Sequence, residues 1–314
     1  MPRLISVVTS CYNEQDNIEP LVRRIREQFA RLPGYDYEHI FIDNASGDAT
    51  VERIKAVCAQ DPKVRLIVNT RNFGHIRAPI HALMQARGDA MIAMASDLQD
   101  PPELIPEFVR RWEEGYKVVA GVKPKSRDSL LLGLLRRIYY FTVVRLSEVR
   151  LIGDFTGFGL YDREVVEAVR AIDDPYPYFR GMVADLGYAW AEVRYEPAAR
   201  ARGLSKNNFY TLYDLAMLGI TSHSKVPLRV ATMAGFALSA LSLAVALGYL
   251  VYKLLYWDEF AVGLAPVVIG VFFFASVQLF FIGVLGEYVG VIHTQVQKRP
   301  LVVEKERVNF DDKR

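Results

Sequence analysis

Short, continuously apolar runs alternate with amphipathic stretches up to about residue 200, and two long uncharged runs dominate the remainder of the chain. The apolar run at 4–9 precedes helical spacing at 17–31, the run at 38–42 precedes 50–59, and 64–68 precedes 76–86, after which 90–95 is again wholly apolar. Short apolar runs are the pattern of strands covered on both faces, whereas apolar residues recurring every third or fourth position mark helices buried along one stripe. The alternation predicts an α/β fold with a mainly parallel sheet and helices on both faces. Residues 103–115 read as a further helix closed by Gly115, and 117–122 as the next strand.

The carboxyl third obeys another pattern. Residues 230–251 and 260–286 contain no charged side chain, and each run exceeds the roughly 20 residues that a bilayer-crossing helix needs. A buried hairpin in a soluble core would require a larger domain around it. The link between the runs holds Lys253, Asp258 and Glu259 beside Tyr252, Tyr256 and Trp257, while Lys206, Lys225, Arg229, Lys298, Arg299, Lys305 and Arg307 lie outside them. That asymmetry puts both flanks in the cytoplasm. Gln278 and Glu287 are polar exceptions suited to a neighbouring helix or the headgroups. Phe209, Leu212, Tyr213, Ala216, Met217 and Ile220 fall at helical spacing just before the first run, as in a helix lying in the membrane interface or one facing a protein core. Residues 130–146 are too charged, with Arg136, Arg137 and Arg145, to cross a bilayer.

Composition narrows the class without choosing a function. With 51% hydrophobic and 24% charged residues the chain is a folded protein, and a net charge of +2 gives no reason to invoke nucleic acid. Two cysteines, Cys11 and Cys58, make neither a disulfide framework nor a metal cluster, so a reducing compartment is expected. The first apolar run is too short for an export signal.

Chemistry concentrates after the strand-like runs. Tyr12-Asn13-Glu14 follows the first, Asp43-Asn44-Ala45-Ser46-Gly47-Asp48 the second, Arg71-Asn72-Phe73-Gly74-His75 the third, and Asp97-Leu98-Gln99-Asp100-Pro101-Pro102-Glu103 the fourth. In open α/β sheets ligands bind at the carboxyl ends of the strands, so four polar clusters there predict one site. Taken singly, an Asp in such a place is more often a helix cap. The turn after the first strand lacks the glycines of a dinucleotide fingerprint, and no phosphate-binding Gly-Lys-Ser or Gly-Lys-Thr loop occurs. Phosphates would then be held through a divalent cation, and the oxygen ligands of Asp97 and Gln99 suit Mg²⁺ or Mn²⁺. His75 and His81 lack local partners for a metal.

These four clusters resemble the family 2 glycosyltransferases that act on polyprenyl phosphates, the group of bactoprenol glucosyltransferases and dolichyl-phosphate mannose synthases. The resemblance continues through Gly153-Asp154-Phe155, Asp162-Arg163 and Arg200-x-x-Gly203-x-Ser205-Lys206 to the paired apolar runs. It implies a GT-A nucleotide-sugar-binding domain at 1–205, a juxtamembrane amphipathic segment at 206–226, a two-helix membrane hairpin at 227–292 and a cytoplasmic tail at 293–314. It implies a nucleotide-sugar donor held by Tyr12, Glu14, Asp43, Asn72, Gly74 and Asp97, and Mg²⁺ or Mn²⁺ on Asp97 and Gln99. Arg127, Arg136, Arg137, Arg200, Ser205 and Lys206 would meet the pyrophosphate and the polyprenyl phosphate acceptor, and Asp97, Asp154 and Arg127 would form the catalytic group. For Arg136 and Arg137 a headgroup contact is an equal alternative.

The chain departs from many relatives in one place. They carry Asp-Ala-Asp-Leu-Gln where this chain has Ala95-Ser96-Asp97-Leu98-Gln99. Either Asp97 and Gln99 suffice for the cation, or the chain is a membrane scaffold that keeps the fold without the activity. A processive polysaccharide synthase would show Gln-x-x-Arg-Trp late in its domain, whereas Arg111-Trp112 comes early with Phe108 in the place of Gln. The expected reaction is transfer of a sugar, best read as glucose from UDP-glucose, to undecaprenyl phosphate, with other UDP-hexoses, N-acetylated sugars, aminoarabinose derivatives and GDP-mannose open. Gly235, Ser239, Gly283 and Gly286 permit helix association into a homo-oligomer within the lipid bilayer.

Overall fold

The computed structural model describes residues 2–123, 152–197, 217, 226–256 and 264–310. The first four strands, β1 (Arg3–Cys11), β2 (Tyr35–Asp43), β3 (Val64–Asn69) and β4 (Ala90–Ala95), alternate with α1 (Ile18–Phe29), α2 (Thr50–Gln60) and α3 (Gly74–Gln85). A 3-10 turn at Pro102–Leu104 leads into α4 (Ile105–Glu113), followed by β5 (Val118–Val122), β6 (Phe155–Asp162), α5 (Arg163–Ile172), α6 (Phe179–Asp185) and β7 (Trp190–Arg194). Two long helices, α7 (Val226–Leu255) and α8 (Leu264–Gln297), precede a last strand, β8 (Glu304–Val308).

Among the described residues eight strands share one sheet, in the order β7-β5-β6-β4-β1-β2-β3-β8. The chain moves outward from β1 to β3, then returns to the other side of β1 as β4, and all these pairings are parallel. Such a reversal, here between β1 and β4, is where open α/β sheets bind ligands, beyond the carboxyl ends of the strands. Antiparallel pairing enters with β6, inserted between β4 and β5, and with β8 on β3.

Side-chain alternation along the strands splits the core into two layers. Ile5, Val7, Phe41, Leu66 and Ile92 meet α1, α2 and α4 on one face. Val8, Ile40, Ile42, Ile67 and Met91 meet α3, α5 and α6 on the other. In α1 the buried residues Ile18, Leu21, Val22, Ile25 and Phe29 form a single stripe at helical spacing.

The structure departs from the sequence pattern at β6. Gly157 and Gly159 weaken its strand signal, yet a Cβ on Gly159 would stand 2.3 Å from the Val119 carbonyl oxygen. Close approach of β5 therefore demands the residue that hides the strand.

At about 1.5 Å rise per residue, α7 and α8 both outreach a hydrocarbon core of about 30 Å. Among the described side chains of these helices none is buried, and Phe236 is 73% and Phe272 69% exposed. A buried core hairpin is thereby excluded, and both helices are long and apolar enough to cross a membrane. Of the segment expected as a tail at 293–314, residues 293–310 are described. Residues 293–297 continue α8, and β8 joins the sheet. The expected juxtamembrane segment at 206–226 lies outside the described residues apart from Met217 and the first residue of α7.

Candidate active site

Strand register brings the four clusters together. Cys11 lies opposite Asp43, Asp43 opposite Val68, and Ser10 opposite Ala95, so β1 to β4 end along one row. Because β6 runs the other way, it starts at this edge: Phe155 pairs with Val122, and the Lys123 amide donates to the Asp154 carbonyl at 3.3 Å. Arg194 also pairs with Val122, which brings Tyr195 to the same edge.

The loops after β1 and β2 are cross-linked. The Asn13 amide donates to Ser46 Oγ at 2.9 Å, and the Gly47 amide returns a bond to Asn13 Oδ1 at 2.8 Å. Glu14 donates its amide to Thr50 Oγ1 at 2.9 Å, and Gln15 Oε1 accepts from the Ala49 amide at 2.9 Å. These bonds hold Asn13 and Ala45 in the left-handed region, at φ 58° and 60°. Asp48 accepts from the Thr50 amide at 3.0 Å in the turn that leads into α2.

Asp43 is completely buried. Its Oδ2 accepts from the Ser46 amide at 2.9 Å and its Oδ1 from the Ser46 hydroxyl. Burial pushes its carboxyl above the ordinary range, against the pull of the Ser46 bonds. As the loop stands, Asp43 shapes the turn from beneath. Tyr12 is exposed at the rim, and half-buried Glu14 accepts from Asn17 Nδ2 at 2.6 Å.

The third cluster depends on Asn44. Its Oδ1 accepts from Asn69 Nδ2 at 2.9 Å and from the Phe73 amide at 3.4 Å, while its Nδ2 donates to the Gly74 carbonyl at 3.2 Å. Asn72 Oδ1 accepts from the Gly74 amide at 2.8 Å, and Gly74 has φ 86°, a value that suits the absence of a side chain.

The turn after β4 is built around Asp100, which is 6% exposed. One oxygen accepts from the Ala95 amide at 3.3 Å; the other accepts from the Tyr195 hydroxyl at 2.6 Å and faces Lys123 Nζ at 3.4 Å. Burial and the Asp100 charge drive the Tyr195 hydroxyl far above its ordinary pKa, so it remains a donor. Asp97 and Gln99 are half-buried at the mouth, and the Gln99 amide donates to Asp97 Oδ1 at 3.2 Å. Glu103 turns outward onto Arg24 at 2.6 Å, and Asp162 caps α5 through the Glu164 amide at 3.0 Å.

Tyr12, Glu14, Asp43, Asn72, Gly74, Asp97, Gln99 and Asp154 thus share one edge. Arg127, Arg136, Arg137, Arg200, Ser205 and Lys206 lie outside the described residues. Sequence reading missed Lys123 and Tyr195. Lys123 follows a strand and was detectable as a fifth strand-end polar residue; nothing local marks Tyr195, whose partner is 95 positions away.

Among the described residues no group of three His, Cys, Asp or Glu side chains could hold a metal ion. Inward commitment of Asp100 makes Asp97 the carboxylate at the mouth of the turn, with the Gln99 amide group beside it in sequence. One carboxylate and an amide oxygen fit a hard cation that takes its remaining ligands from phosphate and water.

Residues 6–170 match the model of Glycosyl transferase family 2. An uncharacterized glycosyltransferase of Synechocystis is 33% identical over 298 residues, covering 95% of this chain and 93% of that protein. The SfII prophage-derived bactoprenol glucosyl transferase of Shigella flexneri is 34% identical over 302 residues, covering 96% and 97%. Among solved structures, glucosyl-3-phosphoglycerate synthase of Mycobacterium tuberculosis, in complex with Mn²⁺, UDP and phosphoglyceric acid, superposes with a TM-score of 0.50 at 22% identity, covering 70% of this chain and 76% of that one. That likeness concerns the fold.

Proposed function

The chain belongs to glycosyl transferase family 2 and is a glycosyltransferase, and from that premise we propose that it transfers glucose from UDP-glucose to undecaprenyl phosphate at the cytoplasmic face of a membrane. The observation that carries this reading is the union in one chain of a polar strand-end crevice with two bare apolar helices. The name of the Shigella relative supports both the acceptor class and the sugar.

Donor binding falls to the loops carrying Tyr12, Glu14, Asn72 and Gly74, with Asp43 supporting the turn from below. Mg²⁺ or Mn²⁺ on Asp97 and Gln99 would neutralise charge on the departing diphosphate. Asp154 lies at the same edge and is assigned to the sugar. Arg127, Arg136, Arg137, Arg200, Ser205 and Lys206 are assigned to the phosphates of donor and acceptor, since guanidinium groups bind two phosphate oxygens at once. The acceptor oxygen needs no strong base, because a phosphate monoester with a second pKa of about 6 is largely ionised at neutral pH. Catalysis then rests on positioning, and one direct displacement inverts the anomeric carbon.

Pairing of β8 with β3 supports a topology in which the catalytic domain and the segment after α8 share one side of the membrane. Two crossings return the chain to the side it left.

The test is incubation of the purified protein with undecaprenyl phosphate and a panel of labelled nucleotide sugars, followed by extraction. Label from UDP-glucose should enter the organic phase. Label from another donor alone would correct the sugar, and no transfer from any donor would sink the reading.

A further inference from the structure

The segment that leaves the second long helix touches the candidate donor loop directly. The Val303 carbonyl accepts from the Thr70 amide at 2.9 Å and from the Thr70 hydroxyl at 3.1 Å. Thr70 is the first residue after β3, and the loop it opens carries Asn72 and Gly74. Asn44 holds the far end of that loop through the Phe73 amide and the Gly74 carbonyl. The loop is therefore fixed at one end from β2 and at the other from the chain leaving α8.

The attachment of that chain is extensive. Val302 is 6% exposed in the core layer that contains Ile67 and Leu83, and Leu301 and Phe73 pack on the same layer. Glu304 pairs with His81 of α3 at 2.5 Å, and Arg307 donates to Gln85 of the same helix at 3.0 Å. Asn309 Nδ2 donates to the carbonyls of Cys58 and Val64, both at 2.8 Å. At the other end Gln295, in the last turn of α8, donates to Asp174 at 2.7 Å. A charged edge strand by itself protects a sheet from unwanted pairing. Protection alone, however, does not call for bonds to the loop that enters the site.

We infer that residues 301–309 are a positioning strut that sets the conformation of the loop at 70–74 and so couples the membrane hairpin to donor binding. The inference rests on the reading that this loop contacts the nucleotide sugar. A strut acts on donor affinity, whereas an edge guard acts only on stability and solubility.

The experiment compares full-length Val302→Asp with Val302→Ile at saturating undecaprenyl phosphate. Val302→Asp should raise the KM for the nucleotide sugar about tenfold while kcat stays within about twofold, the signature of lost uniform binding. Val302→Ile should behave as the parent. If Val302→Asp fails to fold or enter the membrane, Thr70→Val replaces it: a rise of about threefold in donor KM is expected, with recovery in Thr70→Ser. An unchanged donor KM in folded Val302→Asp, or in Thr70→Val where it stands in, overturns the strut. Should the parent protein transfer no donor at all, the functional reading falls separately, and amide hydrogen exchange of residues 69–74 decides the strut. Faster exchange in Val302→Asp supports it, and unchanged exchange overturns it.

Discussion

The two sides of the crevice are built on different principles. On the β2 side, the loops after β1, β2 and β3 hold one another through Asn13, Gln15, Asn44 and Ser46, so their shape is set before any ligand arrives. On the β4 side, the turn carrying Asp97 is anchored by a buried carboxylate, Asp100, held by Tyr195 and Lys123. Under the proposed function, the preformed wall would meet the base and ribose, and the turn anchored by Asp100 would be completed by cation and phosphate. Substitutions on the first side should therefore appear in stability or donor affinity, and those on the second in turnover.

The largest effect is expected at the mouth of the turn. Asp97→Ala should lower transfer on the order of 10²–10³-fold, the scale of losing one electrostatic stabiliser, with the melting temperature little changed. Full activity in this variant would remove Asp97 from the site. Next comes Asn44→Ala, which leaves the Asn69 amide and the Gly74 carbonyl without their partner and should cost about 2 kcal/mol in urea unfolding. A change in turnover without loss of stability would invert the comparison. Tyr195→Phe removes one bond to the Asp100 carboxylate and should lower kcat/KM by about tenfold, equivalent to about 1.4 kcal/mol. An effect confined to melting temperature would reduce the clamp to ordinary packing.

The smallest effect is a pH dependence from Asp43. Its carboxyl is raised above the ordinary value of 3.8 by burial, so the folded state holds the proton more tightly than the unfolded chain. Its contribution to stability is full below that ordinary value and is lost as pH rises through the raised folded value. Asp43→Asn should remove this component, seen as a flatter profile of unfolding free energy across that window. Identical slopes in the two proteins would place the titration elsewhere.

Much of the fold was legible from pattern. The first five strands and the helices between them announced themselves by period, and the acidic turn with its two prolines marked the fourth strand end. Strand β6 was hidden because Gly157 and Gly159 lack the side chains by which strands are recognised, although close packing against β5 requires glycine at 159. Strand β8, Glu304–Val308, carries more charge than apolar surface and reads as a tail, since an edge strand has one partner and needs little hydrophobic cover. Tyr195 escaped because its importance comes from a carboxylate nearly a hundred positions earlier.

By itself the sequence determined the α/β alternation, the two apolar helices and the polar clusters after each early strand, because hydrophobic period and turn chemistry are local properties. Tertiary structure alone decided which of these carboxylates are buried. It turned Asp43 and Asp100 inward as supports and left Asp97 at the mouth, since burial and hydrogen-bond partners depend on strand register. It also brought the chain leaving α8 back onto β3, because an unpaired sheet edge recruits whatever strand the fold returns to it.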